Sequence, residues 1–205
     1  KSLWLGLGLN APFGLKTEWD PTWMGRFHAT KSEVKTYNIN PSVAFKVNES
    51  FSLGAGVSYQ KLEATLASAV PYGGLAVGAA APYGAAAQAG ILAQLGGLSG
   101  LAREGEATIE GDTWTWGYNF GLHAKLGQYG HLGATYRSKI KHELDGTVTF
   151  ANAPTFATSG PLGALGTGIN ARFASGPATT TVELPETFSI AASYETAKLE
   201  LMADY

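Results

Sequence analysis

The sequence predicts an all-β fold, an antiparallel transmembrane β-barrel to which this chain supplies seven strands, with a short helix in one long extracellular loop. Three observations point to it. Apolar or large residues alternate with small or polar ones, as they do on a strand with two unlike faces. The alternating runs reach the roughly 9–11 residues that a tilted strand needs to cross a bilayer, against about 5–6 in ordinary soluble sheets. The connections also alternate between short and long, which is the habit of outer-membrane barrels with short periplasmic turns and long extracellular loops.

The first strand is expected at about Ser2–Asn10, with Leu3, Leu5, Leu7 and Leu9 opposite Gly6, Gly8 and Asn10. A medium loop through Pro12, Gly14, Pro21 and Gly25 leads to a hairpin over Lys35–Lys61. There Tyr37, Ile39, Val43 and Phe45, then Phe51, Leu53, Val57 and Tyr59, form an apolar face opposed by Asn, Ser, Gly and Lys. After a long Ala- and Gly-rich segment from Leu62 to Glu106, a fourth strand carries Trp114, Trp116, Tyr118, Phe120 and Leu122 on one face. Gly127-Gln128-Tyr129-Gly130 reads as a tight turn. The fifth strand sets Leu132, Ala134, Tyr136, Ile140 and Leu144 against Thr135, Arg137, Lys139, Lys141, Glu143 and Asp145. A second long loop spans about Ala151–Ala178. The sixth strand aligns Val182, Leu184, Phe188 and Ile190 on one face, and Glu195-Thr196-Ala197 turns into a seventh with Leu199 and Leu201. The loops at Gly14–Thr30, Leu62–Glu106 and Ala151–Ala178 are therefore expected outside the cell. Trp114, Trp116, Tyr37 and Tyr59 fall near the outer strand ends, where aromatic rings favour the membrane interface.

Composition narrows the function classes. A formal net charge of -2 with 15% charged residues in 205 leaves no basic stripe for nucleic acid. The 45% hydrophobic fraction is interleaved with 27 glycines, mean hydropathy is near zero, and no run approaches a membrane helix. With no cysteine there is neither a disulfide framework nor a thiolate metal site. His28, His123, His131 and His142 lack metal-ligand spacing, so no metal or other cofactor is expected. Ser138 and His142 share the outward face of strand five by parity, with no acid partner, which excludes a hydrolase and leaves no catalytic residue. Both chain ends run straight into strand-like sequence, so residues 1–205 are read as one part of a barrel domain.

Six collinear segments then resemble the FadL family of outer-membrane channels for hydrophobic compounds. They are Ala11-Pro12-Phe13-Gly14-Leu15 with Thr17-Glu18-Trp19, Asn38 to Phe45, Phe51 to Val57, Gly111 to Gly121, Thr135 to Lys141, and Leu184-Pro185-Glu186-Thr187. The resemblance implies a monomeric 14-stranded barrel, plugged by an N-terminal hatch that here precedes Lys1. It also implies passive uptake of a fatty acid or an aromatic or aliphatic hydrocarbon across the outer membrane of a Gram-negative bacterium, with lateral exit at a kinked strand. Partners are the hydrophobic ligand, outer-membrane lipid and lipopolysaccharide. The rival readings are a surface adhesin or structural barrel that binds a partner through its loops, and a porin for polar solutes.

Candidate sites follow. Ile91, Leu92, Leu95 and Leu98 recur at helical spacing after the Ala-rich Gly84–Gly90. An apolar stripe on a cell surface has to be covered by another loop or by ligand, so Leu66, Val70, Leu75, Val77, Ile91, Leu92 and Leu95 are candidates for a capture groove. Lys61, Ala64, Arg137 and Lys139 are the lumenal headgroup candidates. Fatty-acid transporters of the family carry a basic residue where this chain has Ala64, which brings an uncharged hydrocarbon forward. Gly6, Gly8 and Pro12 weaken ladder pairing in strand one, and the resemblance makes that strand the lateral opening.

Overall fold

A computed structural model describes residues 2–195 and 200–204. Its strands are β1 (Leu3–Asn10), β2 (Gly14–Glu18), β3 (Lys31–Lys46), β4 (Phe51–Val70), β5 (Gly105–Leu126), β6 (Gly130–Arg137), β7 (Ile140–Ala151), β8 (Gly176–Leu184), β9 (Thr187–Glu195) and β10 (Glu200–Asp204). All pair antiparallel in one sheet. Short turns pair β3 with β4 and β5 with β6, as at Asn48, where Val47 N–H donates to Phe51 O at 2.9 Å, whereas β4 pairs with β5 and β7 with β8 across the long loops. Thr196, Ala197 and Leu199, expected in the last turn and strand, lie outside the described residues.

The strands outrun their apolar segments. β4 continues to Val70 against β5, so Leu66 and Val70 are strand residues and the long loop begins only at Pro71. The upper parts of β3 and β4 still alternate, but with Lys31, Glu33, Lys35, Lys61 and Glu63 where Tyr37 or Tyr59 stood below. β2 is a short strand inside the expected first loop, held on β3 from Gly14↔Lys35 to Glu18↔Lys31.

β6 and β7 are two halves of the expected fifth strand, and β8 and β9 two halves of the sixth. β5 pairs with β6 up to Asn119↔Arg137 and with β7 again from Asp112↔Asp145. Seven steps on β5 thus face eight on its partner, which is a bulge of one residue. Between them Thr113–Tyr118 have no ladder partner on that side. The Ser138 side chain fills part of the gap: its hydroxyl accepts the Tyr118 N–H at 2.9 Å, while Ser138 N–H donates to Tyr118 O at 2.9 Å. β8 and β9 follow the same bend, since Leu184 faces Ile140 and Thr187 faces Arg137 in one unbroken register around Pro185, which has no N–H to give.

Because side chains alternate, one extra residue exchanges the two faces. Below the bend Tyr136, Phe188 and Ile190 share the apolar outer face with Phe120 and Leu122. Above it Ile140, Leu144, Val182 and Leu184 turn to the inner face, and Lys141, Glu143, Asp145 and Glu183 turn outward. The single continuous face expected for each of these strands is corrected accordingly.

Three helices cap one end: α1 (Tyr72–Ala80), α2 (Ala85–Gln94) and α3 (Gly163–Arg172). The expected helix corresponds to α2, which stops before Leu95; α1 and α3 are additional. No helix is long and apolar enough to cross a membrane among the described residues.

Candidate functional site

The two long loops fold onto each other. Val70, Tyr72, Ala76, Ala87, Ile91 and Leu95 form one buried core with Phe156, Ile169 and Phe173 of the second loop. Tyr72 stacks edge-on against Phe173 at 4.9 Å and its hydroxyl donates to Ala151 O at 3.1 Å. The burial that makes this packing also pushes the Tyr72 hydroxyl pKa up. Asn170 ties its loop by accepting from Phe156 N–H and donating to Phe156 O, each at 2.8 Å, and Gln94 Oε1 accepts from Ala157 N–H at 2.8 Å. A bidentate Arg26–Glu104 pair, at 2.8 and 2.9 Å, fastens the first loop to the same assembly. Between α2 and the segment leading into α3 lies an open cleft of about 690 Å³, with Tyr83, Ala86, Gln94, Pro161, Leu162 and Leu165 on its walls. Gly90 permits the approach, because a Cβ there would collide with the Leu162 methyl.

This assembly does not gather the expected capture residues into one groove. Val70, Ile91 and Leu95 are buried in the loop core, Val77 packs against that core and Leu92 is half-buried. Leu75 is on the loop exterior. Leu66, 45% exposed, projects from the inner face of the sheet. Tyr83, Leu162 and Leu165 were not singled out in the sequence; the only local signal was an exposed aromatic and two leucines in Gly- and Pro-rich loops.

Below the loops the inner face divides into two zones. The upper zone is apolar: Leu62, Leu66, Ile109 and Leu144 face inward, and a cavity of about 270 Å³ is bounded by Ala64, Leu66, Ile109 and Leu144, while Val182 and Ile140 face inward at and just below the level of Thr115. The lower zone is polar. Asn10, Asn38, Gln60 and Thr115 stand in one row across four strands by register, with Asn38 Nδ2 donating to Asn10 Oδ1 at 3.0 Å. One step lower Asn40 donates to Ser58 Oγ at 3.1 Å and to Asn119 Oδ1 at 3.0 Å. Arg137 borders a cavity of about 550 Å³ with Asn119, Thr135 and Ser189.

Of the headgroup candidates, Ala64 and Arg137 lie on the inner face, and two others do not. Lys61 shares the outer face with Tyr59 and Trp114, where it meets Glu63 at 2.6 Å and Asp112 at 3.3 Å. Lys139 lies past the bulge and pairs outward with Glu183 at 3.0 Å. The outward placement of Ser138 and His142 is likewise overturned. Ser138 is spent on the Tyr118 amide, and His142 faces inward, fully buried, with neither ring nitrogen hydrogen-bonded. Gln60 Nε2 and Asn38 Oδ1 are also buried without a partner, so the junction of the two zones carries unused polar valence. Among the described residues His123 and His131 do meet, ring nitrogens 3.1 Å apart, near the opposite strand ends.

For the lateral opening, β1 keeps an unbroken ladder to β3 from Leu3 to Asn10, and a Cβ on Gly6 would sit 2.9 Å from Ser42 Oγ. Any opening at β1 is therefore confined to its other edge, which has no partner among the described residues. Pro12 connects β1 to β2.

On the outer face Tyr59 stacks against Trp114 at 4.5 Å and Trp116 at 4.3 Å, while Tyr129 and Tyr194 meet at 5.9 Å at the far end. From Trp116 to Leu126 β5 rises roughly 33 Å along its axis, or roughly 25 Å along the normal at a tilt of about 40°, the height of an outer-membrane apolar band.

Comparison with known proteins agrees with this geometry. Residues 1–202 match the family model described as outer membrane protein transport protein (OMPP1/FadL/TodX). The chain is 27% identical over 187 residues to a long-chain fatty acid transport protein of Escherichia coli O6:H1, covering 90% of this chain and 40% of that protein. It is 27% identical over 157 residues to outer membrane protein P1 of Haemophilus influenzae, covering 73% and 33%. Among solved structures, a Pseudomonas aeruginosa FadL homologue superposes with a TM-score of 0.76 at 23% identity, over 99% of this chain and 44% of that one. The Ralstonia pickettii toluene transporter TbuX gives 0.62 at 16%, over 100% and 50%. The chain thus spans less than half the length of the curated relatives it matches. These relatives are transport proteins of the outer membrane rather than enzymes, and this chain, an antiparallel outer-membrane β-barrel sequence, belongs to the OMPP1/FadL/TodX family.

Proposed function

We propose that this chain forms the capturing and upper-lumenal part of a monomeric passive channel that takes hydrophobic small molecules, fatty acids or hydrocarbons, across the outer membrane. The observation that carries this reading is the exchange of faces at Ser138–Lys139 and Pro185. It puts Ile140, Leu144, Val182 and Leu184 on the inner face of the wall, at and below the apolar cavity of Leu66, Ile109 and Leu144. A solute leaving the cleft meets an apolar surface before any charge. An aromatic ring that buries roughly 200 Å² there gains about 5 kcal/mol at 25 cal/mol per Å², enough to hold it while leaving release unassisted.

Among the described residues the upper zone carries no inward lysine or arginine, and Ala64 lies within it, which favours an uncharged hydrocarbon or the tail of an acid whose head reaches the polar row or Arg137. The resemblance assigns lateral exit to β1, with Gly6, Gly8 and Pro12 as its candidates, and a hatch is supported by the polar, glycine-rich lower zone. The test is uptake of radiolabelled toluene, alkane and fatty acid by cells carrying the full-length protein. Leu66→Asp, an exposed inward position, should cut hydrocarbon uptake at least tenfold, because a carboxylate in the apolar zone costs more than about 1.4 kcal/mol, while the barrel keeps its heat-modifiable migration. Uptake equal to wild type would refute the route. A large steady single-channel current would instead identify an open porin.

A further inference from the structure

His123 and His131 take no part in the proposed route, yet they form the one pair of imidazoles in contact among the described residues. Their spacing along the chain is no metal-ligand motif, but β5 and β6 fold back at Gly127–Gly130 and bring them together. Register sets Lys125 opposite His131 and His123 opposite Gly133, so the two histidines are diagonal neighbours. Leu122, Ala124, Leu132 and Ala134 hold the outer face here, so by alternation both imidazoles stand on the inner one.

His123 Nε2 lies 3.1 Å from His131 Nδ1, with the ring centroids 5.2 Å apart. Two imidazole nitrogens bound to one metal at about 2.0–2.1 Å, and about 90–100° apart on it, are separated by about 2.9–3.2 Å. The pair already has that separation. One of the two nitrogens donates a hydrogen to the other; a metal takes that hydrogen's place once each ring has turned toward it, and the proton moves to the other nitrogen of its own ring. There is room for the turn. His123 is exposed, and a Cβ on Gly133, directly opposite, would meet nothing nearer than 4.0 Å.

We propose that His123 and His131 form a two-imidazole site for a borderline divalent cation of the copper, nickel and zinc class. Imidazole suits these metals, whereas magnesium and calcium prefer oxygen. Among the described residues no third histidine or carboxylate joins the pair, so the remaining coordination positions fall to water and the metal stays exchangeable. Ser52 lies beside His123 and Ser193 beside His131 on the same face. Lys125 shares that face next to His131 and repels a cation, which limits affinity. A bound metal ties β5 to β6 next to their turn, whatever solute the channel carries.

The test titrates Cu(II), with Mg(II) as the second probe, into the tag-free full-length protein in detergent, read by calorimetry and by the nitrogen splitting of the copper spin signal. Wild type should bind one equivalent of Cu(II) more than H123Q/H131Q, with two imidazole nitrogens in its spectrum. Either single substitution should weaken that binding at least tenfold, since even an outer-sphere partner of a ligand is worth roughly 10- to 100-fold. K125Q should tighten it severalfold, and H28Q, in the first loop, should leave it unchanged. Heat-modifiable migration should report each variant folded. Equal Cu(II) binding in wild type and H123Q/H131Q, a spectrum with a single nitrogen, or equally tight binding of Mg(II) would each overturn the proposal.

Discussion

Ile91→Ala tests the extracellular assembly on which capture depends. Ile91 is 0% exposed at the centre of the core shared by α1, α2 and the second loop. Truncating a fully buried isoleucine removes its transfer energy and leaves a cavity, about 2–5 kcal/mol in total. Of the strands only the uppermost residues, Val70, Ala107 and Phe150, reach that core, so the loss falls mainly on the docking of one loop against the other. At 1.4 kcal/mol per decade, the open fraction of the loops rises between about 30-fold and a few thousandfold. Protease added to intact cells reads this opening, because cleavage tracks the open population when reclosing is fast. Leu98→Ala is the internal control, since Leu98 is 76% exposed and should not alter cleavage. Equal cleavage rates in wild type and Ile91→Ala, or equal acceleration by Leu98→Ala, would refute the packing argument.

Two further outcomes follow from single contacts. The Arg26 guanidinium beside Glu104 holds its carboxyl below the ordinary carboxylate range; a lowered folded pKa means that the tie is fully present above the unfolded value of about 4.3 and is lost as pH falls through the folded one. Protection of the Trp19–Thr30 segment against an acid protease should therefore fall on going from pH 6 to pH 3, and Glu104→Gln should be equally sensitive at both. At Gly146, where β7 crosses closest to β5, an added Cβ would run into the Glu110 carbonyl and the Gly111 Cα, both backbone. Gly146→Ala should lower the yield of heat-modifiable protein severalfold, whereas Gly121→Ala, whose nearest neighbours stand 3.9 Å away, should assemble normally.

Period-two patterning made the lower sheet legible. The apolar faces of Leu3–Leu9, Tyr37–Phe45, Phe51–Tyr59 and Trp114–Leu122 are observed as read, because unbroken strands between lipid and lumen leave their parity in the sequence. Parity misled above the girdle for two physical reasons. Lys31 to Lys35 and Lys61 to Glu63 keep the strand but lose the apolar signal, so β3 and β4 looked shorter than they are. At the bend the apolar residues keep even numbers, Tyr136 then Ile140, and Phe188 after Leu184, so one continuous face was read where the bulge exchanges two. Only Ser138 and Pro185 marked the place, each compatible with an ordinary strand. The cleft was illegible for another reason: Tyr83 and Leu162 line one cleft only when two remote loops dock, and the helical stripe of the first loop, Ile91 to Leu98, includes neither.

The face exchange at Ser138–Lys139 is directly measurable, because these 205 residues contain no cysteine and any cysteine elsewhere in the full-length protein can be replaced by serine. Single cysteines at positions 132 to 149 of the full-length protein, spin-labelled in lipid vesicles, report oxygen against aqueous nickel accessibility residue by residue. Even positions should be exposed on the outer side up to 136 and odd positions on that side from 139 onward, with 140, 142 and 144 protected. A single even-numbered outer face running unbroken from 132 to 148 would contradict it.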